Sequence, residues 1–358
     1  MNSSWGRKLH YSLFGESHGK GVGITIHGLP SGIRIDMHKI NINLERRKTG
    51  KQLASKRREA DNVTILSGEK DGYTSGSPLT FFLENQDVRS DHYSPFSRSP
   101  RPSHTDFVQL YKYGTHADLN GSGHLSARLT APIVIAGTLL SGLDAFRGLQ
   151  ILSELTRVGP VSYAEERFGA LESLRAEERE ALRSLELPIL EPEIRALAER
   201  EIAQAISDKD SLGSAVSVSV TGVPAGLGEP FFYSVESVLS QLFFSIPAVK
   251  AVEFGLGKDF AASRGSLVND PFVYQQGSVR TSSNHSGGIN GGISNGMPIR
   301  FQLSFRPAPS IGLPQHSVDL LEGRDCQIRI EGRHDACPGI RAIPIIEAMV
   351  YMGLYELI

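Results

Sequence analysis

Alternation with period two dominates several stretches of the chain. In "VGITIHG", Val22, Ile24 and Ile26 fall on one side and Thr25 and His27 on the other, the pattern of a half-buried strand. "AVSVSVTG" sets Val216, Val218 and Val220 against serines, and "IRFQLSF" sets Ile299, Phe301, Leu303 and Phe305 against polar residues. "VTILSG" (63–68) and "LTFFLEN" (79–85) add two more candidates. Alternation of this kind predicts antiparallel sheets with one face covered.

Helical signals lie elsewhere. Residues 164–207 are rich in Ala, Glu, Leu and Arg, all strong helix formers. Pro188 and Pro192 predict a division into two helices, and the charge run reads as a solvated face without a catalytic role. "LTAPIVIAGTLLSGL" (129–143) is the most apolar stretch. It is shorter than the ~20 residues a membrane span needs and is broken by Pro132, so it predicts a buried helix or strand–helix segment. "IPIIEAMVYMGLYELI" predicts a mostly buried C-terminal helix starting near Pro344. With no repeat and no low-complexity linker, the expectation is a single α+β domain over residues 1–358.

Composition narrows the partners. The 358 residues are 40% hydrophobic and 21% charged, as in soluble globular proteins. A net charge of −2 gives no global field for nucleic acid or anionic membranes, so any anion site must be built locally. Two cysteines, Cys326 and Cys337, are too few for a disulfide framework and suit a reducing cytoplasm. No apolar run near residue 1 is long enough for a signal peptide.

Five stretches could carry chemistry. "FGESHGKGVG" fences Glu16, Ser17 and His18 with Gly15, Gly19, Gly21 and Gly23, and glycine lets a ligand approach the main chain closely. "LERRKTGKQLASKRREAD" (44–61) concentrates arginine and lysine, whose guanidinium forks suit carboxylate or phosphate. "RPSHTDF" offers His104 and Asp106. As a metal pair these lack the further ligands a site needs, so His104 reads as an acid/base group or a satisfied structural histidine. "NGSGHLSARLTAP" (120–132) could hold an anion on exposed N–H groups at a helix start. Late in the chain, "SSNHSGGINGGISNGMP", "FRPAPSIG" and "EGRHDACPG" bring glycines and the run Arg333, His334, Asp335. No nucleophile elbow, zincin helix or phosphate-binding P-loop is present. By residue type the set suits acid/base chemistry on a polyanionic small molecule oriented by cations.

Taken in order, "FGESHG", "RREADNVTILSG", "RPSHTDFVQLYKYG", "GHLSAR", "VPAGLGEP", "SNHSGGINGGISNG" and "GRHDACPGIRA" resemble the blocks of the chorismate synthase family, from about Leu13 to the C-terminus. The resemblance implies an anti-1,4-elimination of phosphate from 5-enolpyruvylshikimate 3-phosphate to give chorismate, the last common step of the shikimate pathway. It implies reduced FMN as cofactor without net redox change, a β-α-β sandwich with helices between antiparallel sheets, and a homotetramer. FMN reduction by NADPH on the protein and by an outside source both remain open.

The same resemblance implies roles. Arg46, Arg47, Arg128 and Arg333 clamp the substrate's anions. His18 protonates the leaving phosphate, His104 keeps the reduced flavin in its proper protonation state, and Asp335 helps take up the ring proton. FMN is held by His124, Leu125 and Ser126, by Pro247 and Ala248, by Gly291, by Arg306, Pro307, Ala308, Pro309 and Ser310, and by Arg333.

Two features depart from the family pattern. "RRKTGKQLAS" is one residue shorter than usual, leaving Lys51 or Arg57 to supply the second clamp. His124 stands where arginine is usual, which implies weaker FMN binding as pH rises and the imidazole loses charge. Beside this reading stand a flavin-independent phosphate-releasing lyase or phosphatase, and an anion- or RNA-binding module built on the basic loop.

Overall fold

The computed structural model describes residues 2–48, 61–86, 94–162, 167–330 and 335–358. Two five-stranded antiparallel sheets enclose a helical layer. The first runs in the order Ser4–Trp5, His10–Gly15, Gly21–His27, Leu79–Glu84, Val63–Ser67. The second runs Val249–Phe254, Ile299–Phe305, Ser214–Thr221, Gln150–Val158, Val161–Ser162. The helices are α1 (Met37–Arg47), α2 (Asp106–Tyr113), α3 (Thr130–Leu140), α4 (Arg167–Ser173), α5 (Ala176–Ser184), α6 (Pro192–Asp208), α7 (Val235–Phe244), α8 (Gly265–Val268) and α9 (Gly339–Leu357).

The five alternating stretches are all strands. In the first sheet Ile24 sits opposite Phe81 and Val22 opposite Leu83, and all four side chains are fully buried. That apolar face meets α3, every residue of which is buried. On its other side α3 packs against α9, which in turn contacts the second sheet. A Cβ on Gly137 would fall 2.2 Å from Ala348 Cα, so glycine sets how closely the two central helices approach. The apolar 129–143 stretch is therefore the middle of the sandwich. Among the described residues no helix is long and apolar enough to cross a membrane.

Three expectations change. The second sheet is covered on both faces: Ser217 and Ser219 are as buried as the valines beside them. Ser219 Oγ donates to Glu172 Oε1 of α4 at 2.6 Å, and Arg300 donates to both oxygens of Glu172. Glu172 of α4 thus covers Ser219, while Ser217 bonds Gln302 and Thr156 of the neighbouring strands. Residues 167–208 form three helices, not two. The extra break falls before α5, where Glu178 reaches back to the backbone N–H of Arg175 (2.7 Å), and Pro192 opens α6 at a position that needs no N–H donor. The C-terminal helix starts at Gly339, with Pro344 inside it. Proline costs one intrahelical hydrogen bond, which the burial of nearly the whole helix outweighs.

Candidate functional site

The strand His10–Gly15 ends on the glycine-fenced triplet. Gly15 has φ +92°, and a Cβ there would fall 2.1 Å from Gly21 O, so only glycine closes this turn. The turn is tied outward twice. Ser17 N–H donates to Gly123 O (3.0 Å), and Asn85 Nδ2 donates to the carbonyls of Glu16 (2.8 Å) and Gly19 (2.9 Å). Gly121, at φ +55°, lies flat against the His18 ring: a Cβ there would fall 2.2 Å from Cε1 and 2.3 Å from Nδ1. The next residue, Ser122, places Oγ 3.2 Å from His104 Nε2. Two histidines 86 positions apart in sequence, His18 and His104, therefore flank one loop.

His104 is oriented from behind. Its Nδ1 lies 2.8 Å from Asp106 Oδ1, and Asp106 also accepts from Arg101 Nε and Nη2 at 2.7 Å and from the Arg101 N–H at 3.0 Å. Burial pushes the Asp106 carboxyl up, but the hydrogen bonds from Arg101 and His104 outweigh it and hold it below the usual carboxylate range. An ionised Asp106 fixes the proton on Nδ1 and turns Nε2 toward Ser122.

The cations form a second group. Asp61 accepts from Arg128 Nη1 and from Arg47 Nη2 (3.3 Å), with Lys48 Nζ at 3.5 Å. Burial raises the Asp61 pKa, and Arg47 and Arg128 lower it further than burial raises it. Burial draws the Arg47 pKa down; Asp61 opposes this, while Arg128 and Arg341 add to it. Arg128 Nε donates to Asn85 Oδ1 (3.1 Å), so the side chain that ties down the His18 turn also braces this arginine. Arg341 Nη1 lies 3.4 Å from Asp335 Oδ2. Arg46 faces a different partner. Its guanidinium forms a bidentate pair with Glu347 of α9 at 2.6 and 2.9 Å.

The stretches expected to hold FMN converge on the His104 loop with one exception. Arg306 N–H donates to Ala248 O (2.9 Å) and Arg306 Nη2 to Ser103 O (2.6 Å). Arg101 Nη1 lies 3.5 Å from Ser310 Oγ. Ser211 Oγ donates to Ala308 O and Leu212 N–H to Ala336 O, both at 2.7 Å, which brings 307–309 near the segment after Asp335. Ser126 Oγ accepts from Arg128 N–H (3.3 Å), and Leu125 is exposed. His124 Nδ1 lies 2.7 Å from Gly15 O, with Ser3 Oγ 2.6 Å from Nε2. Both ring nitrogens are thus engaged by the protein. Gly291 is the exception. It lies in the turn between Ile289–Asn290 and Ile293–Ser294, whose Gly292 packs on Ser234 and Pro230. Arg333, Lys51 and Arg57 lie outside the described residues.

Two atoms point to a missing hydrogen-bonding guest. Arg47 Nε and Ser17 Oγ are buried with no hydrogen-bond partner among the described residues. A donor left so costs about 1–3 kcal/mol, which an anionic ligand would offset. The donor set around His104 also fits FMN: Arg306 offers a guanidinium, and 306–310 offers backbone next to an imidazole. Asp61, Asn85, Arg101 and Arg341 carry this geometry without having been singled out by sequence. Asp61 and Arg101 lie inside the quoted "RREAD" and "RPSHTDF", but only folding shows which charges they meet.

Comparison with known proteins gives a single answer. A family model described as chorismate synthase matches residues 9–358. The chorismate synthase of Thermococcus gammatolerans is 41% identical over 355 residues, covering 98% of this chain and 96% of that protein. The chorismate synthase of Pyrococcus abyssi is 42% identical over 351 residues, with the same coverage. A crystal structure of chorismate synthase superposes with a TM-score of 0.76 at 27% identity, covering 99% of this chain and 92% of that one.

Proposed function

The chain belongs to the chorismate synthase family and is a lyase of that kind, and from this premise we propose that it eliminates phosphate from 5-enolpyruvylshikimate 3-phosphate with reduced FMN bound beside His104. Bound reduced FMN supplies an electron-rich ring that assists departure of the phosphate, with no net redox change. The chain's own residues do the rest. Arg47 and Arg128, with Arg333, hold the substrate's phosphate and carboxylates. Arg46 fixes α1 to α9 through Glu347 and so supports its neighbour Arg47.

As the C–O bond breaks, His18 gives a proton to the departing phosphate oxygen. As the C–H bond breaks, Asp335 takes up the proton, with Arg341 steadying its carboxylate. His104, its Nδ1 proton fixed by Asp106, keeps Nε2 available at the flavin side. Arg306 and Ser310 hold FMN with His124, Leu125, Ser126, Pro247, Ala248, Pro307, Ala308 and Pro309. Gly291 contributes from the separate hairpin. We further propose one domain over residues 1–358, a homotetramer and a cytoplasmic location.

The observation that supports this reading most is the adjacency of His18, Gly121, Ser122 and His104, which sets two imidazoles against one loop. The test is an anaerobic assay with dithionite-reduced FMN, following chorismate absorbance. Activity is expected only with reduced FMN. His18→Ala and His104→Ala should each lower turnover about 10²-fold or more with unchanged circular dichroism. Turnover without flavin, or near-wild-type rates in both variants, would refute the scheme.

A further inference from the structure

The Glu/Arg-rich helices have no part in the site above, yet one of them walls a cavity. Where α5 meets α1, α3, α9 and the strand Gln150–Val158 there is a space of about 260 Å³. None of its walls belongs to the His18–His104 loop. Its volume falls just under the roughly 300–1,000 Å³ of pockets that hold drug-sized ligands, so it suits a single-ring molecule. Its buried wall is largely apolar, formed by Gly137, Ile151, Leu152 and Ala348, with Thr138 and Glu347 as its polar members. Its mouth is cationic: Lys39 from α1, and Arg179 and Arg183 from α5.

These cations exceed the acids beside them. Glu347 reaches the cavity, but Arg46 occupies both its oxygens, and Arg183 adds only a 3.4 Å contact. Glu180, exposed at the rim, is the remaining carboxylate on the wall. Lys39, exposed at the mouth, is held there by Ser141, whose Oγ accepts from Nζ at 2.7 Å. Burial lowers the Lys39 pKa, and the Arg183 charge lowers it further, more than Asp36 raises it. Two like charges thus converge over an apolar slot, which an anion between them would relieve.

We propose that this cavity binds a small organic acid, a carboxylate carried on a single apolar ring, at a site separate from the catalytic cations. The carboxylate is held by Lys39 and Arg183, with Arg179 at the rim, and the ring lies on Ile151, Leu152 and Ala348. Arg183 also touches Glu347, the carboxylate that fixes Arg46 next to Arg47. A chain of contacts from Arg183 through Glu347 to Arg46 therefore links the ligand to the substrate-binding end of α1.

The probe is 4-fluorobenzoate, titrated against the full-length protein and followed by fluorine NMR. Saturable binding with one site per chain is expected. The double variant Lys39→Met, Arg183→Gln should weaken it at least tenfold, while Arg47→Gln, which disturbs the catalytic cations, should leave it unchanged. If the double variant does not fold by circular dichroism, Arg179→Gln and Arg183→Lys replace it, each expected to weaken binding at least threefold. Equal binding in wild type and cavity variants overturns the proposal. So does loss of binding in Arg47→Gln alone, which would assign the acid to the catalytic site.

Discussion

Replacing Asp106 by Asn tests the support behind His104 and can be worked through in numbers. The carboxylate accepts four hydrogen bonds, three from Arg101 and one from His104. Asp106 and Arg101 are 0% and 6% exposed. Asparagine is nearly isosteric but neutral, and it takes from the buried Arg101 the carboxylate charge that holds it through three hydrogen bonds. Breaking a buried pair in this way costs about 3–5 kcal/mol. With about 2.1 cal/mol/K of unfolding entropy per residue, a 358-residue chain loses about 1.3 °C of Tm per kcal/mol. The expected fall is therefore about 4–7 °C by calorimetry at pH 7.

The double variant Arg101→Met, Asp106→Asn removes both charges, and at least half of that loss should return. The pH dependence has a fixed sign. The Asp106 pKa is depressed in the folded state, so its contribution is present above the unfolded value, about 3.9, and is lost as pH falls through the folded value. The gap in Tm between wild type and Asp106→Asn should thus be widest above about pH 5 and narrow below about pH 4. Turnover should fall about 10²-fold, since an imidazole facing an amide no longer has its tautomer fixed. A Tm change under about 1 °C at pH 7, or a gap that widens in acid, would refute the assignment of Asp106 as the charged support of His104.

Gly121→Ala should lower turnover sharply while the chain stays folded, because its methyl would overlap the His18 ring at a φ of +55° that costs about 1–2 kcal/mol for an L-residue; wild-type kinetics would show that His18 need not lie against this loop. Glu347→Gln should destabilise by about 3–5 kcal/mol, seen as a lower urea midpoint, because it removes the charge of a buried carboxylate that Arg46 grips through both oxygens; an unchanged midpoint would show that the pair contributes nothing. Asp335→Asn should reduce kcat with KM nearly unchanged, and a KM rise with kcat intact would make Asp335 a binding residue.

The sandwich was legible because its strands alternate and its central helix is continuously apolar. Val22, Ile24 and Ile26 announce a face, and α3 announces a buried layer. Alternation does not reveal what covers the polar face, so Ser217 and Ser219 suggested solvent where the protein supplies Glu172 and Arg300. Pro344 suggested a helix start because its ring removes one hydrogen bond. A helix buried along nearly its whole length absorbs that cost, and Gly339 is the true start. At the candidate site, residues with unusual neighbours in sequence could be picked out: His18 among glycines, His104 beside Asp106, Arg128 after "HLSA". Asp61, Asn85 and Arg341 could not, because their significance is which distant charge or carbonyl they meet. Arg46 and Arg47 show the limit most directly. They are adjacent on a helix, whose residues are set about 100° apart around its axis, and one meets Glu347 while the other meets Asp61.

Charge balance explains why a proton donor belongs beside these cations. The chain as a whole is net negative, so a polyanion finds attraction only where positive charge is concentrated. Arg47, Lys48, Arg128 and Arg341 meet Asp61 and Asp335, four positive charges to two negative ones among the described residues. The proposed substrate, with one phosphate and two carboxylates, brings more negative charge than that surplus offsets, even with the charge of Arg333 added as proposed. Leaving phosphate gathers further negative charge as its bond to carbon lengthens, within a site where water screens little. In the proposed scheme, a proton delivered from His18 at that moment removes the excess where it develops. Asp61 acts in the same sense before substrate arrives: its carboxylate keeps mutually repelling guanidinium groups together, and the unpartnered Arg47 Nε remains for the incoming anion.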